Sequence, residues 1–245
     1  MKLPLLLSVP HGGVNVPPEV RDYCILTEEE IIVDGDEGAS EIYWPLEEHV
    51  AAFIKTDIAR AILDMNRRED ERRADGVVKT ETIYKVPIYC KPLPESIVNT
   101  LLESHHRPYH KSLVELAKTS GAILGIDCHT MAAKAPPIEA DAGRERPPVC
   151  IGDAEGSLPA KWRDSLVRCF ESVFKTLVTV NDPFSGGYIT RTHAAELPWV
   201  QVELSRAPFM TNQQKSECVL TALHSWCEEH SGVVDRGTGP LINHP

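Results

Sequence analysis

Short apolar runs alternate along this chain with polar stretches of helical spacing. Residues 5–9 are compact and apolar and predict a buried strand, followed by a Pro- and Gly-containing loop over 10–18. Thr27 stands as the N-cap of a short helix whose first turn is Glu28, Glu29 and Glu30. Between 36 and 55, Ile42, Leu46, Val50 and Phe53 recur at helical spacing, and Pro45 would kink such a helix. Residues 61–65 predict a second short strand, and the polar stretch 68–94 a long functional loop. An amphipathic helix over 95–119 would bury Ile97, Leu101, Leu113 and Leu116. A third strand is expected over 122–126, a further loop over 132–148, and strands at Val149 and Ile151, at 178–181 and at 199–204. Helices are expected over 158–177 and 212–230, and a turn over 182–187. This alternation argues for an α/β layered domain, in which polar motifs just after the strands lie at the edge where open sheets bind ligands.

No internal repeat or low-complexity linker divides the 245 residues, which read as a single domain over 1–245. Apolar residues make up 42% and charged residues 25%, an ordinary globular balance. The net charge of −11 disfavours a nucleic-acid binder but leaves room for a local basic pocket that takes a small anion. No apolar run approaches the roughly 18–20 residues that span a bilayer. The apolar opening lacks a small-residue cleavage site and reads as a strand rather than a signal peptide. Seven scattered cysteines without a C-x-x-C pair suit reduced thiols in the cytoplasm.

Three segments present metal-competent groups after a strand or at a helix start: Pro10-His11-Gly12-Gly13, Asp34-Gly35-Asp36-Glu37 and Asp127-Cys128-His129. Two imidazoles and a carboxylate form a ligand set of the kind zinc hydrolases use, with a position left for water. Asp127 shares a strand face with His129 and could orient it. A rival pair, His193 and Glu196, has His-x-x-Glu spacing, but Pro198 follows closely and the segment reads as a solvated loop. His105, His106 and His110 read as surface or helix-packing histidines. Asn66 and Arg67, with Arg60 upstream, could hold a carboxylate, or pair with the acids of 69–75. Arg191 is a second candidate anion clamp. Glu203 lies in the apolar run 199–204, where an unpaired carboxylate is costly; it is a candidate general base, with Arg206 as the structural alternative partner. No nucleophile elbow, P-loop or dinucleotide fingerprint is present.

Taken in order, SVPHGG at 8–13, GDEGASEIY at 35–43, ILDMNR at 62–67, HRPYH at 106–110, DCHTM at 127–131, GGYITR at 186–191 and QVELSR at 201–206 resemble the N-formylglutamate amidohydrolase family. The resemblance implies an architecture like that of zinc carboxypeptidases and aspartoacylases, a mixed central sheet flanked by helices, of the phosphorylase/hydrolase-like kind. It implies one Zn2+ per chain, other divalent metals being compatible, and hydrolysis of the amide of an N-acylated acidic amino acid such as N-formyl-L-glutamate. By position, His11, Asp36 and His129 would be the metal ligands, with Glu37 the fallback if the register slips by one. Glu203 would activate water, Arg60 would polarise the scissile carbonyl, Asn66, Arg67 and Arg191 would hold substrate carboxylates, and Tyr188 would close over them. Unlike zinc carboxypeptidases, the chain has Val14 rather than an acid soon after the first histidine. The alternatives are a hydrolase of peptide or cell-wall amides and a non-catalytic binder of acidic amino-acid derivatives. The expected partner is a small anionic molecule, with no nucleic acid and no membrane; the oligomeric state is not readable.

Overall fold

The computed structural model describes residues 2–136 and 142–230. Its centre is a six-stranded sheet: β1 (Leu3–Val9), β2 (Val50–Lys55), β3 (Leu124–Met131), β4 (Val149–Gly152), β5 (Val178–Val180) and β6 (Trp199–Ser205), in the order β2-β1-β3-β6-β4-β5. All neighbours run parallel except β4 and β6, which are antiparallel. The sheet is therefore mixed, as expected. Every residue of β3 and β6 is buried, the pattern of strands covered on both faces.

Alternation along β1 sends its side chains to two apolar layers. Leu5, Leu7 and Val9 join one that contains Ile42 and Tyr43 of α2 (Ala39–Tyr43), Leu166 and Phe170 of α5 (Ala160–Phe174), and Leu223 and Trp226 of α7 (Asn212–Glu229). Leu6 joins the other, with Ile31 of α1 (Glu28–Asp34), Val98 of α3 (Glu95–Leu101) and Leu113 of α4 (Arg107–Thr119). Thr27 caps α1 in a reciprocal box with Glu30, as its position predicts, and Thr211 caps α7 in the same way with Gln214. Gly125 of β3 lies against the Trp199 ring of β6, and a side chain there would overlap the indole.

Two expected elements differ. The stretch 36–55 is not one kinked helix: α2 passes into a 3-10 turn at Trp44–Glu48 and then into strand β2. The apolar spacing fits a helix, but the two halves bury their side chains on different elements. Residues 61–65 are turn rather than strand, and Leu63 makes an isolated bridge to Val78. They are buried as irregular chain beside the sheet.

The helix over 95–119 is interrupted at Leu102–His106 by a π-helical turn before α4. Pro108 has no N–H to give and crowds the preceding turn, and the wide π turn accommodates it. Loop 68–94 is anchored by a buried ion pair, Lys79 Nζ to Asp34 Oδ2 at 2.6 Å, with both side chains fully inaccessible. The Ile83 N–H donates to the other oxygen of Asp34. Part of the expected loop 132–148, residues 137–141, lies outside the described residues. No helix among the described residues is long and apolar enough to cross a membrane.

Candidate active site

Six chain segments converge at the carboxyl ends of β1, β3 and β6 around a cavity of about 630 Å³. His11 follows β1, Asp36 sits between α1 and α2, His129 lies in β3, and Gln201 and Glu203 lie in β6. Residues 60–67 follow β2, and Tyr188 and Arg191 come from α6 (Tyr188–Thr192). Parallel pairing puts His129 opposite Glu203 and Asp127 opposite Gln201.

Candidate ligand atoms of His11, Asp36 and His129 all lie within 4.8 Å of one another, and the three side chains are buried. Asp36 Oδ2 is 2.9 Å from His129 Nδ1, and Asp36 Oδ1 is 3.6 Å from His11 Nδ1. The far edge of each ring is held by its own carboxylate: His11 Nε2 lies 2.7 Å from Asp64 Oδ1, and His129 Nε2 lies 2.9 Å from Asp127 Oδ2. Carboxylates at Nε2 fix the tautomer and turn each Nδ1 toward Asp36, the arrangement that orients metal-binding imidazoles. Tyr43 Oη donates to the His129 carbonyl, and the Thr130 N–H donates to Asp36 Oδ2. Glu37 is exposed, so Asp36 is the acid that reaches the histidines.

The donor set, two imidazoles and a carboxylate with outer carboxylates, fits a divalent cation of the zinc type. The ionised carboxylates of the set suit one as well. Burial raises the Asp36 carboxyl, but the adjacent His11 and His129 outweigh it and hold the group well below the usual carboxylate range. Burial also raises Asp64, while His11 and Arg60 bring it well below that range. Burial lowers His129, but Asp127 and Asp36 pull its imidazole well above the ordinary value. Asp64→Asn keeps the shape and removes the charge behind His11; metal affinity should fall about 10–100-fold, measured by competition with a chromophoric chelator.

Glu203 behaves differently. Burial pushes its carboxyl up to about 7, helped by Asp36 and opposed by His129. Its Oε1 accepts a hydrogen bond from Gln201 Nε2 at 2.8 Å. Arg206, the alternative partner, instead donates to the carbonyls of Gly35 and Thr130 and approaches Asp36 at 3.8 Å.

Arginines supply the cavity's positive charge. Arg60 donates to Asp64 and to the Asp34 carbonyl. Arg67 reaches only to 3.8 Å from Asp64 Oδ2, and its buried Nε has no hydrogen-bond partner. Arg191 is exposed at the rim and donates to Ser185. Asn66 also lines the cavity, but its amide is engaged: Nδ2 donates to Asp127 and Oδ1 accepts the Ile189 N–H. These bonds tie β3 to α6 through the Asn66 amide. A side chain on Gly187 would collide with that amide.

Sequence reasoning missed Asp64 as the partner of His11, and Gln201 as the partner of Glu203. Arg206 also lines the cavity, as does Arg68, which the sequence did not single out. Asp64 stands inside one of the matching stretches, but contact with a residue 53 positions away leaves no local trace. The segment of His193 and Glu196 is not a solvated loop: His193 is 3% exposed. His105 pairs with Glu19, outside the cavity lining.

A family model described as N-formylglutamate amidohydrolase matches residues 3–210. The chain is 26% identical over 225 residues to an N-formylglutamate deformylase of Pseudomonas putida, covering 85% of this chain and 82% of that one. It is 26% identical over 230 residues to the enzyme of the same name from Pseudomonas aeruginosa, covering 86% and 84%. A crystal structure of N-formylglutamate amidohydrolase from Ralstonia eutropha JMP134 superposes with a TM-score of 0.76 at 19% identity, covering 97% of this chain and 96% of that one, and shares the fold.

Proposed function

The chain belongs to the N-formylglutamate amidohydrolase family, and on that footing we propose that it is a metal-dependent amidohydrolase that splits N-formyl-L-glutamate, or a close N-acyl acidic amino acid, into the free amino acid and a small carboxylate. The observation that carries this reading is the buried His11, Asp36 and His129 cluster facing Glu203 across a cavity that also holds the Arg67 guanidinium, whose buried Nε has no hydrogen-bond partner. His11, Asp36 and His129 would hold the cation, zinc being the first choice. Bound there, it would supply Lewis acidity, polarising a carbonyl and lowering the pKa of water.

The chain's own residues account for the rest. Glu203 takes a proton from the attacking water as the new C–O bond forms. It returns that proton to the amide nitrogen as the C–N bond breaks, and the amine leaves neutral. A carboxyl poised near neutrality is suited to both transfers. Arg60 donates to the oxyanion that develops on the scissile carbonyl. Arg67 and Arg191 take the substrate carboxylates, and Tyr188 covers them. Arg60, Arg67, Arg68, Arg191 and Arg206 make this cavity locally cationic, while the net charge of −11 is spread over the whole chain. The seven cysteines are all free thiols, which suits a reducing, cytoplasmic setting.

The test is metal content of protein purified without a metal-affinity tag, together with formate release from N-formyl-L-glutamate before and after chelation. About one zinc per chain and chelator-sensitive formate release are expected. Zinc without formate release would move the substrate to another N-acyl acid. No metal, with nothing restored by added zinc, would overturn the reading.

A further inference from the structure

Behind residues 65–67 lies a row of histidines that the proposed chemistry does not use, His106 and His193 buried and His110 half-buried. His106 Nε2 sits 2.8 Å from the Arg67 carbonyl, and His110 Nε2 sits 3.0 Å from the Met65 carbonyl. Both histidines come from the helical run that carries α4, one turn apart. His110 Nδ1 then lies 2.9 Å from His193 Nε2, with the two rings nearly parallel at 9°. His193 Nδ1 lies 3.3 Å from Glu196 Oε2, an ion-pair contact without hydrogen-bond geometry, and neither of those buried atoms has a hydrogen-bond partner. The edge of His110 also meets the Tyr188 ring at 5.2 Å between centroids.

The direction of every bond in this row follows from its first member. A carbonyl oxygen only accepts, so His110 Nε2 must carry hydrogen. Burial, with His106 and His193 alongside, drops the His110 imidazole to about 3, so the ring is neutral and its Nδ1 is a bare lone pair. His193 Nε2 must therefore donate. That leaves His193 Nδ1 facing a carboxyl oxygen, and two acceptors cannot face each other in a buried site at no cost. The pair of His193 and Glu196 closes the row by sharing one proton, whichever of the two carries it. Glu196 is the partly exposed end, its side chain 21% accessible, and so the end at which that proton enters.

We propose that Glu196, His193 and His110 form a relay of positioning residues, ordered by one shared proton, which with His106 fixes residues 64–67 and Tyr188 of α6 at their places on the cavity wall. The inference rests on the reading of Arg67 and Tyr188 as substrate-binding groups. Met65 and Arg67 flank Asn66 and follow Asp64, so their carbonyls set the path of a segment without regular secondary structure. Two histidine hydrogen bonds replace the ladder that a strand would have provided.

Two variants separate this role from simple support. In Glu196→Gln the side-chain amide donates to His193 Nδ1 without needing a proton, and KM for N-formyl-L-glutamate should stay within about twofold of wild type. In Glu196→Leu that atom is left unpaired in a buried site; KM should rise about tenfold, with kcat and metal content little changed. A merely structural contact would lower the folded fraction, and with it apparent kcat, at constant KM. Nitrogen-15 NMR of histidine-labelled wild type supplies a second measurement if the leucine variant does not fold. His110 and His193 should both be protonated at Nε2, and His110 should stay neutral through the neutral pH range. A His110 carrying its proton on Nδ1, or equal KM values in wild type and both variants, would overturn the relay. Should wild type release no formate, the proposed function fails while the NMR still decides the relay.

Discussion

Replacing Glu203 by glutamine should leave the metal in place and lower kcat by about 10²–10⁴-fold, the usual contribution of a positioned acid–base group. The change conserves volume at a residue 6% exposed in the middle of the sheet, and the new amide oxygen can still accept from Gln201. What it removes is the capacity to take a proton from water and hand it to the departing amine. The same assignment sets the acid limb of the pH profile. The base works when ionised, so kcat/KM should fall as pH drops through the Glu203 value, which burial places at about 7 and a bound cation would lower further. The glutamine variant should lose that limb. Metal analysis with formate release across pH is the measurement; a variant rate within a few-fold of wild type would remove Glu203 from the chemistry.

The second large effect concerns stability. Asp34→Ala leaves Lys79 without its carboxylate in a fully buried site, and breaking such a pair from one side costs about 3–5 kcal/mol. Burial, with Arg60 nearby, already lowers the Lys79 ammonium, while Asp34 opposes that shift. The double replacement of Asp34 by Leu and Lys79 by Met should recover most of the loss, since no charge is then stranded. Recovery should be incomplete because the Ile83 N–H loses its acceptor. Urea unfolding of the wild type and both variants checks this. The single variant should also weaken the site, because the Asp34 side chain holds loop 68–94, whose Arg68, Glu71 and Ile83 line the cavity.

Pattern reading reached most of the architecture because strands covered on both faces carry short apolar runs close to turn residues, as β1, β3 and β6 do. It failed where an apolar run is buried without being part of a ladder. Residues 61–65 have the composition of a strand, but their backbone groups bond to Ala59, Val77 and the His110 side chain. It failed again at Val50–Lys55, where helical spacing continued by coincidence into a strand that pairs with β1. In the candidate site, the residues after strand ends were readable because polar groups stand out there. The histidine-orienting role of Asp64 and the burial of His193 were not. Each is decided by a partner on another segment, which no local period encodes.

The strand order has a consequence for how the molecule comes into being. β6 lies between β3 and β4, although it is the last strand among the described residues. β4 and β5 can pair with each other as they emerge during synthesis, but they have no sheet to join until Trp199–Ser205 slots in between. The same strand delivers Glu203. A nascent chain can thus present both histidines and Asp36 well before it presents the base, and the act that completes the sheet also completes the reactive centre. Such late, long-range closure is slow compared with local helix formation. It makes the appearance of activity a direct report on the final step of folding.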